Sequence, residues 1–259
     1  MKAMIFAAGL GTRLKPLTDR IPKALVPVNG IPMLQHVILK LKQAGFTEIV
    51  INIHHFGEQI ISFLQAHQNF GITVHISDER EELLDTGGGI KKAIPFFSGN
   101  EPFLVHNVDI LSDTDLKALY DYHRQSTNDA TLLVSQRETS RYLLFDKDNA
   151  RLCGWINKQT LQTKPNGFVY HPEQHEAYAF SGIHVISPSL FRYMDGHWTG
   201  KFSITDFYLQ TCKEARIGGY IAQNLHLIDI GKPETLAQAE KLFELRMKNC
   251  LQPNGILHS

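Results

Sequence analysis

The sequence predicts an α/β fold built on a mixed, mostly parallel sheet, and three observations carry that prediction. Short apolar runs that stop at glycine or at polar residues alternate with amphipathic helical stretches through the first half. Strand, helix, strand, helix at this spacing is the pattern of parallel strands whose crossovers cover both faces of a sheet. A chain of 259 residues is long enough to bury the core such a sheet needs.

Residues 3–8 read as a buried strand, short, apolar and stopped by Gly9. A loop of glycines and cations follows. Pro32 then opens a helix on which Met33, Leu34, Val37, Ile38 and Leu41 share one face, and Gly45 closes it. Residues 48–53 form a second strand. Residues 56–67 form a helix with Ile60, Ile61 and Leu64 inward, and residues 72–76 a third strand. Thr86-Gly87-Gly88-Gly89 leads into a helix near 90–93. Residues 103–109 are a strand that ends in an acid, and 115–125 are helical.

From Ala130 the texture changes. Residues 131–135, 142–145 and 152–156 are β segments, the last two joined by the turn-rich Asp146-Lys147-Asp148-Asn149. Residues 160–174 are polar, carry two prolines and a glycine, and read as a mobile loop. Residues 178–186 return as a core strand, Pro188 opens a short helix, and Ser203 caps another. Residues 220–222 and 225–229 are short strands. Residues 233–248 form the closing helix, with Leu236, Ala239, Phe243 and Met247 on one face, and the tail from Pro253 is frayed.

Lys plus Arg and Asp plus Glu both count 26, so the chain lacks the basic surface of broad nucleic-acid binding. Cys153, Cys212 and Cys250 form no CxxC, which excludes a disulfide framework and a cysteine-rich zinc site and leaves unreactive thiols. No stretch is long and apolar enough to span a bilayer, and the apolar start is too short for a signal peptide. A soluble, cytoplasmic protein is the expectation.

The loop after the first strand is the strongest chemical signal. Gly9 and Gly11 let backbone amides approach an anion, and Arg13, Lys15, Arg20 and Lys23 stand beside them without any packing reason. Arg13 can hold phosphate oxygens through two parallel hydrogen bonds. Pro16 and Pro22 stiffen the loop, so less ordering entropy is lost on binding. The spacing fits neither G-x-x-x-x-G-K-[ST] nor G-x-G-x-x-G, since Leu14 stands where the third glycine belongs. The loop is read as the seat of a nucleoside triphosphate. Asp109 ends a strand, where open α/β sheets gather their ligands, and its hard oxygens suit Mg²⁺.

Gly9-Leu-Gly-Thr-Arg-Leu-Lys-Pro-Leu-Thr18, Pro22-Lys-Ala-Leu-Val-Pro-Val28 and Gly30-Ile-Pro-Met33 together resemble the signature of the nucleoside-diphosphate-sugar pyrophosphorylases, or sugar-1-phosphate nucleotidyltransferases. The resemblance covers essentially the whole chain. It implies a Rossmann-like, nucleotidyltransferase (GT-A-like) fold with an inserted β subregion for the sugar. It implies one domain over 1–250, with a nucleotide half at about 1–128, a sugar and metal half at 129–250, and a tail at 251–259.

The resemblance also assigns residues. Ala8, Gly9, Gly11, Thr12, Arg13 and Lys23 hold the triphosphate, with Arg13 and Lys23 the catalytic candidates. Asp85, Thr86 and Gly87 contact the nucleobase. Asp109 and Asp229 bind Mg²⁺; Asp229 opens an Asp-Ile-Gly-Lys-Pro segment similar to the family's late Asp-x-Gly-Thr-Pro. Ser181 and Gly182 line the sugar pocket, and Asn157 and Trp155 are further candidates. Many relatives hold the sugar phosphate with the lysine of a Glu-Lys-Pro segment. Here Lys158 and Lys164 are the nearby lysines, neither in that motif, and the role stays unassigned.

His54-His55 and the pair His171 and His175 read as structural rather than metal-binding. The implied reaction is NTP plus sugar 1-phosphate giving NDP-sugar and pyrophosphate, by a monomer or small homo-oligomer without nucleic acid or membrane. The likeness is strongest to N-acetylmuramate 1-phosphate uridylyltransferases. Mannose or heptose 1-phosphate guanylyltransferases are the alternative, and a non-catalytic nucleotide-sugar sensor is the alternative of another class.

Overall fold

The computed structural model describes residues 1–250, and of residues 242–250 the backbone alone. Strand β1 (Lys2–Phe6) leads into the glycine loop, which winds through three short 3-10 turns. A ribbon of β2 (Pro27–Val28) and β3 (Ile31–Pro32) leads to α1 (Met33–Gln43). Then come β4 (Glu48–Ile53), α2 (Gly57–Ala66), β5 (Thr73–Asp78), α3 (Asp85–Ala93), β6 (Phe103–Asn107), β7 (Ile110–Ser112) and α4 (Leu116–Gln125). The second half holds β8 (Ala130–Ser135), β9 (Arg141–Asp146), β10 (Leu152–Asn157), β11 (Thr163–Lys164), β12 (His175–Ile186), α5 (Ile204–Thr211), β13 (Ile217–Ile221), β14 (Leu227–Asp229) and α6 (Pro233–Cys250).

The main sheet runs β11-β10-β9-β12-β6-β1-β4-β5, with β8 branching from β12 and carrying β13. β1 pairs in parallel with β4 and β6, and β4 with β5. The direction reverses at β12, which is antiparallel to β6. β12 is long enough to pair with β9 through its first residues and with β6 through its last, so it joins the parallel half to the β-rich half.

The parallel strands read as unbroken apolar runs because both their faces are covered. Side chains that alternate along a strand enter two separate cores. Ala3, Ile5, Ile49, Ile51 and Leu104 join the core under α1, α2 and α4. Met4, Val50, Phe103 and Val105 join the core under α3 and α5.

The predicted helix face of α1 is buried throughout, and Gly45 follows it with φ +89°. In α2, Ile60 and Leu64 are buried, whereas Ile61 is only half-buried. β1 stops at Phe6 rather than Ala8, because the Ala7 and Ala8 N–H groups donate to Asn52 Oδ1, at 2.7 and 3.3 Å, instead of to a strand. β6 stops at Asn107, which leaves Asp109 in the turn beyond it.

The largest local difference lies at the glycine run, which is inside α3 and not ahead of it. Glycine in a helix costs about 0.5–1 kcal/mol relative to alanine, and close packing accounts for it here. A Cβ on Gly87 would lie 2.3 Å from the Phe202 ring, and one on Gly88 2.3 Å from the Gly200 carbonyl oxygen. The 160–174 stretch contains β11, whose Lys164 pairs with Trp155 of β10. Phe243, Met247, Cys250 and the tail from Pro253 lie outside the described side chains. Among the described residues no helix is long and apolar enough to cross a membrane.

Candidate active site

The carboxyl ends of β1, β4 and β6 open into a cavity of about 320 Å³, lined by Phe6, Ala8, Gly9, Lys23, Asn52, Glu79, Asp85, Thr86, Asn107 and Asp109, with Leu83, Val108 and Lys201 completing it. The glycine loop takes its shape from two contacts. Gly11 has φ +64°, and a Cβ there would meet Thr18 Cγ2 at 2.8 Å and Lys23 Cβ at 2.9 Å. Thr18 Oγ1 donates to the Gly11 carbonyl at 2.8 Å and closes the turn. Around Gly9 there is open space. Leu14 is fully buried and pins the loop, which leaves Thr12 and Arg13 exposed at its rim.

Asn52 and Glu79, which the sequence reading missed, hold the floor. Asn52 Oδ1 accepts the two alanine amides while its Nδ2 donates to Glu79 Oε1 at 2.7 Å. Glu79 is fully buried, and that burial pushes its carboxyl up against the opposing effect of the Asn52 hydrogen bond. The signal in the sequence was a lone asparagine inside Ile-Val-Ile-Asn-Ile.

Pairing of β14 with β7 sets Asp229 opposite Ile110, beside Asp109. The Ile230 N–H donates to the Asp109 carbonyl at 2.8 Å and fixes this junction. The Lys23 ammonium, nearly buried, donates to Asp109 Oδ2 in a tight ion pair. Asp229 keeps an edge on solvent. Burial, and then the charge of Asp109, nevertheless raise its carboxyl above the usual range, against Lys23, Arg13 and Arg137. A Cβ on Gly231 would lie 2.8 Å from Arg13 Nη2 and 3.0 Å from Asp229 Oδ1, so glycine lets these groups share one corner. Among the described residues no group of three or more His, Cys, Asp and Glu side chains is placed to hold a metal.

Asp85 and Thr86 reach the cavity, whereas Gly87 packs on Phe202 and does not line it. Thr86 Oγ1 accepts the Ile204 N–H at 2.9 Å and ties α3 to α5. The residues predicted for the sugar also carry structural contacts of their own. Asn157 Oδ1 accepts the Gln159 and Thr160 N–H groups, at 2.9 and 3.3 Å, and so builds a turn. Ser181 is buried, with no hydrogen-bond partner for its Oγ among the described residues. Gly182 has φ +68° at a bulge in β12, where a Cβ would lie 2.7 Å from Asn107 Nδ2. Trp155 does line a cavity, together with Arg137, Arg141, Lys164 and Phe180, which the sequence reading did not assign to this pocket. Lys158 instead lies over the Tyr142 ring, 4.4 Å from its centroid.

Several histidines and cysteines are paired or buried. His175 Nδ1 accepts the His171 N–H at 3.1 Å. Burial lowers His106 and His123 to about 4 and His184 to about 3, so all three are neutral. Cys153 and Cys212 are free thiols, and burial pushes Cys153 up to about 12.

Known proteins share this sequence and shape. A family model described as "Nucleotidyl transferase" matches residues 2–245. An N-acetylmuramate alpha-1-phosphate uridylyltransferase of Caulobacter vibrioides is 29% identical over 242 residues, covering 92% of this chain and 95% of that protein. A protein of the same description from Neisseria meningitidis serogroup B is 48% identical over 120 residues, 46% of this chain and 52% of that one. The chain spans about half the length of several of the curated relatives it matches. The inositol-1-phosphate CTP transferase of T. maritima superposes with a TM-score of 0.73 at 16% identity, covering 95% of each chain, a likeness of fold.

Proposed function

The chain belongs to the nucleotidyl transferase family, and from that premise we propose that it joins an NTP to a sugar 1-phosphate, giving an NDP-sugar and pyrophosphate, with UTP and N-acetylmuramate 1-phosphate as the substrate pair. One observation carries this reading. Arg13, Lys23, Asp109 and Asp229 meet at the rim of a glycine-edged cavity at the carboxyl ends of parallel strands.

The triphosphate lies along Ala8, Gly9, Gly11 and Thr12, and the base enters beside Asp85 and Thr86, with Gly87 supporting that turn from behind. An oxygen of the sugar phosphate attacks the α-phosphorus. The bond from that phosphorus to the bridging oxygen breaks, and its electron pair leaves with pyrophosphate. The attacking oxygen is already anionic, so the step needs no general base. Catalysis is then positioning and charge neutralisation. Arg13 and Lys23 hold the charge that develops on the leaving pyrophosphate. Arg137 is placed to receive the phosphate of the sugar.

Asp109 and Asp229 fit Mg²⁺, which accepts one or two carboxylates and fills its remaining positions with water and phosphate oxygens. The Lys23 ammonium pairs with Asp109 beside Asp229, so this corner already holds a positive charge against the two carboxylates. The ion would neutralise the two phosphates that must approach each other. Lys23 would exchange Asp109 for phosphate as substrate enters. In this reading the enzyme is cytoplasmic, supplies cell-wall precursor, and works as a monomer or small homo-oligomer without nucleic acid or membrane.

The test is pyrophosphate release across a panel of NTPs and sugar 1-phosphates, with and without Mg²⁺. Turnover is expected with UTP and N-acetylmuramate 1-phosphate, and only with the metal. Turnover with GTP and mannose or heptose 1-phosphate would replace the pair and keep the reaction. Silence across the panel beside tight NDP-sugar binding would overturn it in favour of a sensor.

A further inference from the structure

The cavity between β9, β12 and α5 has a volume of about 410 Å³ and carries three cations, Arg137, Arg141 and Lys164, against one carboxylate, Asp206. Lys164 Nζ donates to Asp206 Oδ1 at 2.8 Å, so one cation is balanced. Among the described residues Arg141 has no ion-pair partner, and Arg137 Nε is buried without an acceptor. Two guanidinium groups facing one cavity repel each other, so this arrangement does not serve the stability of the free protein. It suits an anion. Trp155 and Phe180 supply apolar walls on which the C–H face of a sugar ring can lie.

The cationic groups stand at different depths. Arg137 follows β8, and its Nη2 donates to the Phe180 carbonyl at 2.9 Å. Arg141 begins β9, two strands from β6, and Lys164 ends β11, four strands from it. A broader cleft shares Lys164, Ser203 and Asp206 with this cavity and Asp85 and Lys201 with the nucleotide cavity, so the spaces communicate.

Building on the proposed reaction, we infer that Arg141, helped by Lys164, reads the carboxylate that the proposed sugar carries remote from its 1-phosphate. The guanidinium fork of Arg141 matches a carboxylate with two parallel hydrogen bonds. Lys164 adds a point charge, which Asp206 balances until the substrate arrives. Aromatic walls hold the ring between the two anionic ends.

The experiment compares N-acetylmuramate 1-phosphate with N-acetylglucosamine 1-phosphate, the same ring without the carboxylate, using UTP and Mg²⁺. Wild type, Arg141→Gln and Arg141→Lys are assayed, with thermal melts to confirm folding. Arg141→Gln is expected to lower kcat/KM on the acidic sugar by about tenfold to a hundredfold, chiefly through KM. On the neutral sugar the change stays below about threefold, and Arg141→Lys recovers part of the loss. Equal losses on both sugars, or a wild-type preference for the neutral sugar, would overturn the inference and leave the reaction standing. If wild type turns over neither sugar, the proposed substrate pair falls and the wider panel of NTPs and sugar 1-phosphates decides the reaction. Calorimetric titration of the two sugar phosphates then still decides whether Arg141 prefers the acidic one.

Discussion

The two sides of the cleft are built in opposite ways. On the nucleotide side the proposed triphosphate loop is one continuous segment, Gly9 to Lys23, whose backbone is shaped by the φ of Gly11. The proposed sugar side is assembled from side chains spread over residues 137–209, on β9, β10, β11, β12, α5 and the loops beside them. A phosphate chain presents the same chemistry in every nucleotide, so one backbone loop serves. A sugar differs from its relatives by single substituents, and side chains brought from separate strands can be exchanged one at a time to read them.

The largest expected effect tests the charged corner where the two sides meet. Lys23→Ala and Asp109→Asn should each reduce kcat by about a hundredfold to a thousandfold or more, with circular dichroism unchanged. Near-normal turnover in either variant would remove that residue from the reaction.

The next prediction separates backbone shape from ligand contact within the loop. Gly11→Ala forces a side chain to φ +64° and into Thr18 and Lys23, and should cost about 1–3 kcal/mol in a denaturant melt. Gly9→Ala meets open space and should melt like wild type while raising the Kd for UTP. Equal melts for the two variants would show that the loop is not shaped as described.

This contrast also explains what could be read from the chain. The loop was legible because its chemistry is contiguous, and the parallel strands were legible because burial on both faces leaves an apolar run. The motif that follows Asp229 marked it in sequence, and the fold sets it beside Asp109. Asn157, Ser181 and Gly182 look like sugar contacts in sequence, and the fold also uses them for a turn, a buried position and a bulge. Arg137 and Arg141 belong to no motif in the sequence, and the fold brings both onto one cavity with Phe180 of β12. The glycine run of α3 was misplaced because its reason is the approach of Phe202 and Gly200, more than a hundred residues later.

The scaffold behind the sugar side yields a smaller, pH-dependent effect. His184 lies between Phe180 and Tyr208, with neither ring nitrogen bonded among the described residues, and burial lowers it from 6.5 to about 3. Below pH 6.5 the unfolded chain takes up a proton that the folded one refuses. Stability is therefore lost as pH falls from 6.5 towards 3, by at most about 1.4 kcal/mol per pH unit for this group. His184→Phe should flatten that dependence between pH 7 and 5 in urea melts, and an unchanged slope would place the titration elsewhere. The smallest effect is expected for Asn157→Ala, which removes a turn contact and should leave kcat/KM within about twofold. A tenfold loss would return Asn157 to the sugar site.

The central claim is direct transfer from the NTP to the sugar phosphate across this cleft, without a nucleotidyl-enzyme. Exchange of labelled pyrophosphate into UTP tests it most directly. The account predicts exchange only when N-acetylmuramate 1-phosphate or its UDP-sugar product is present together with Mg²⁺. Exchange with UTP and pyrophosphate alone, in the absence of any sugar, would reveal a covalent nucleotidyl intermediate and contradict the account.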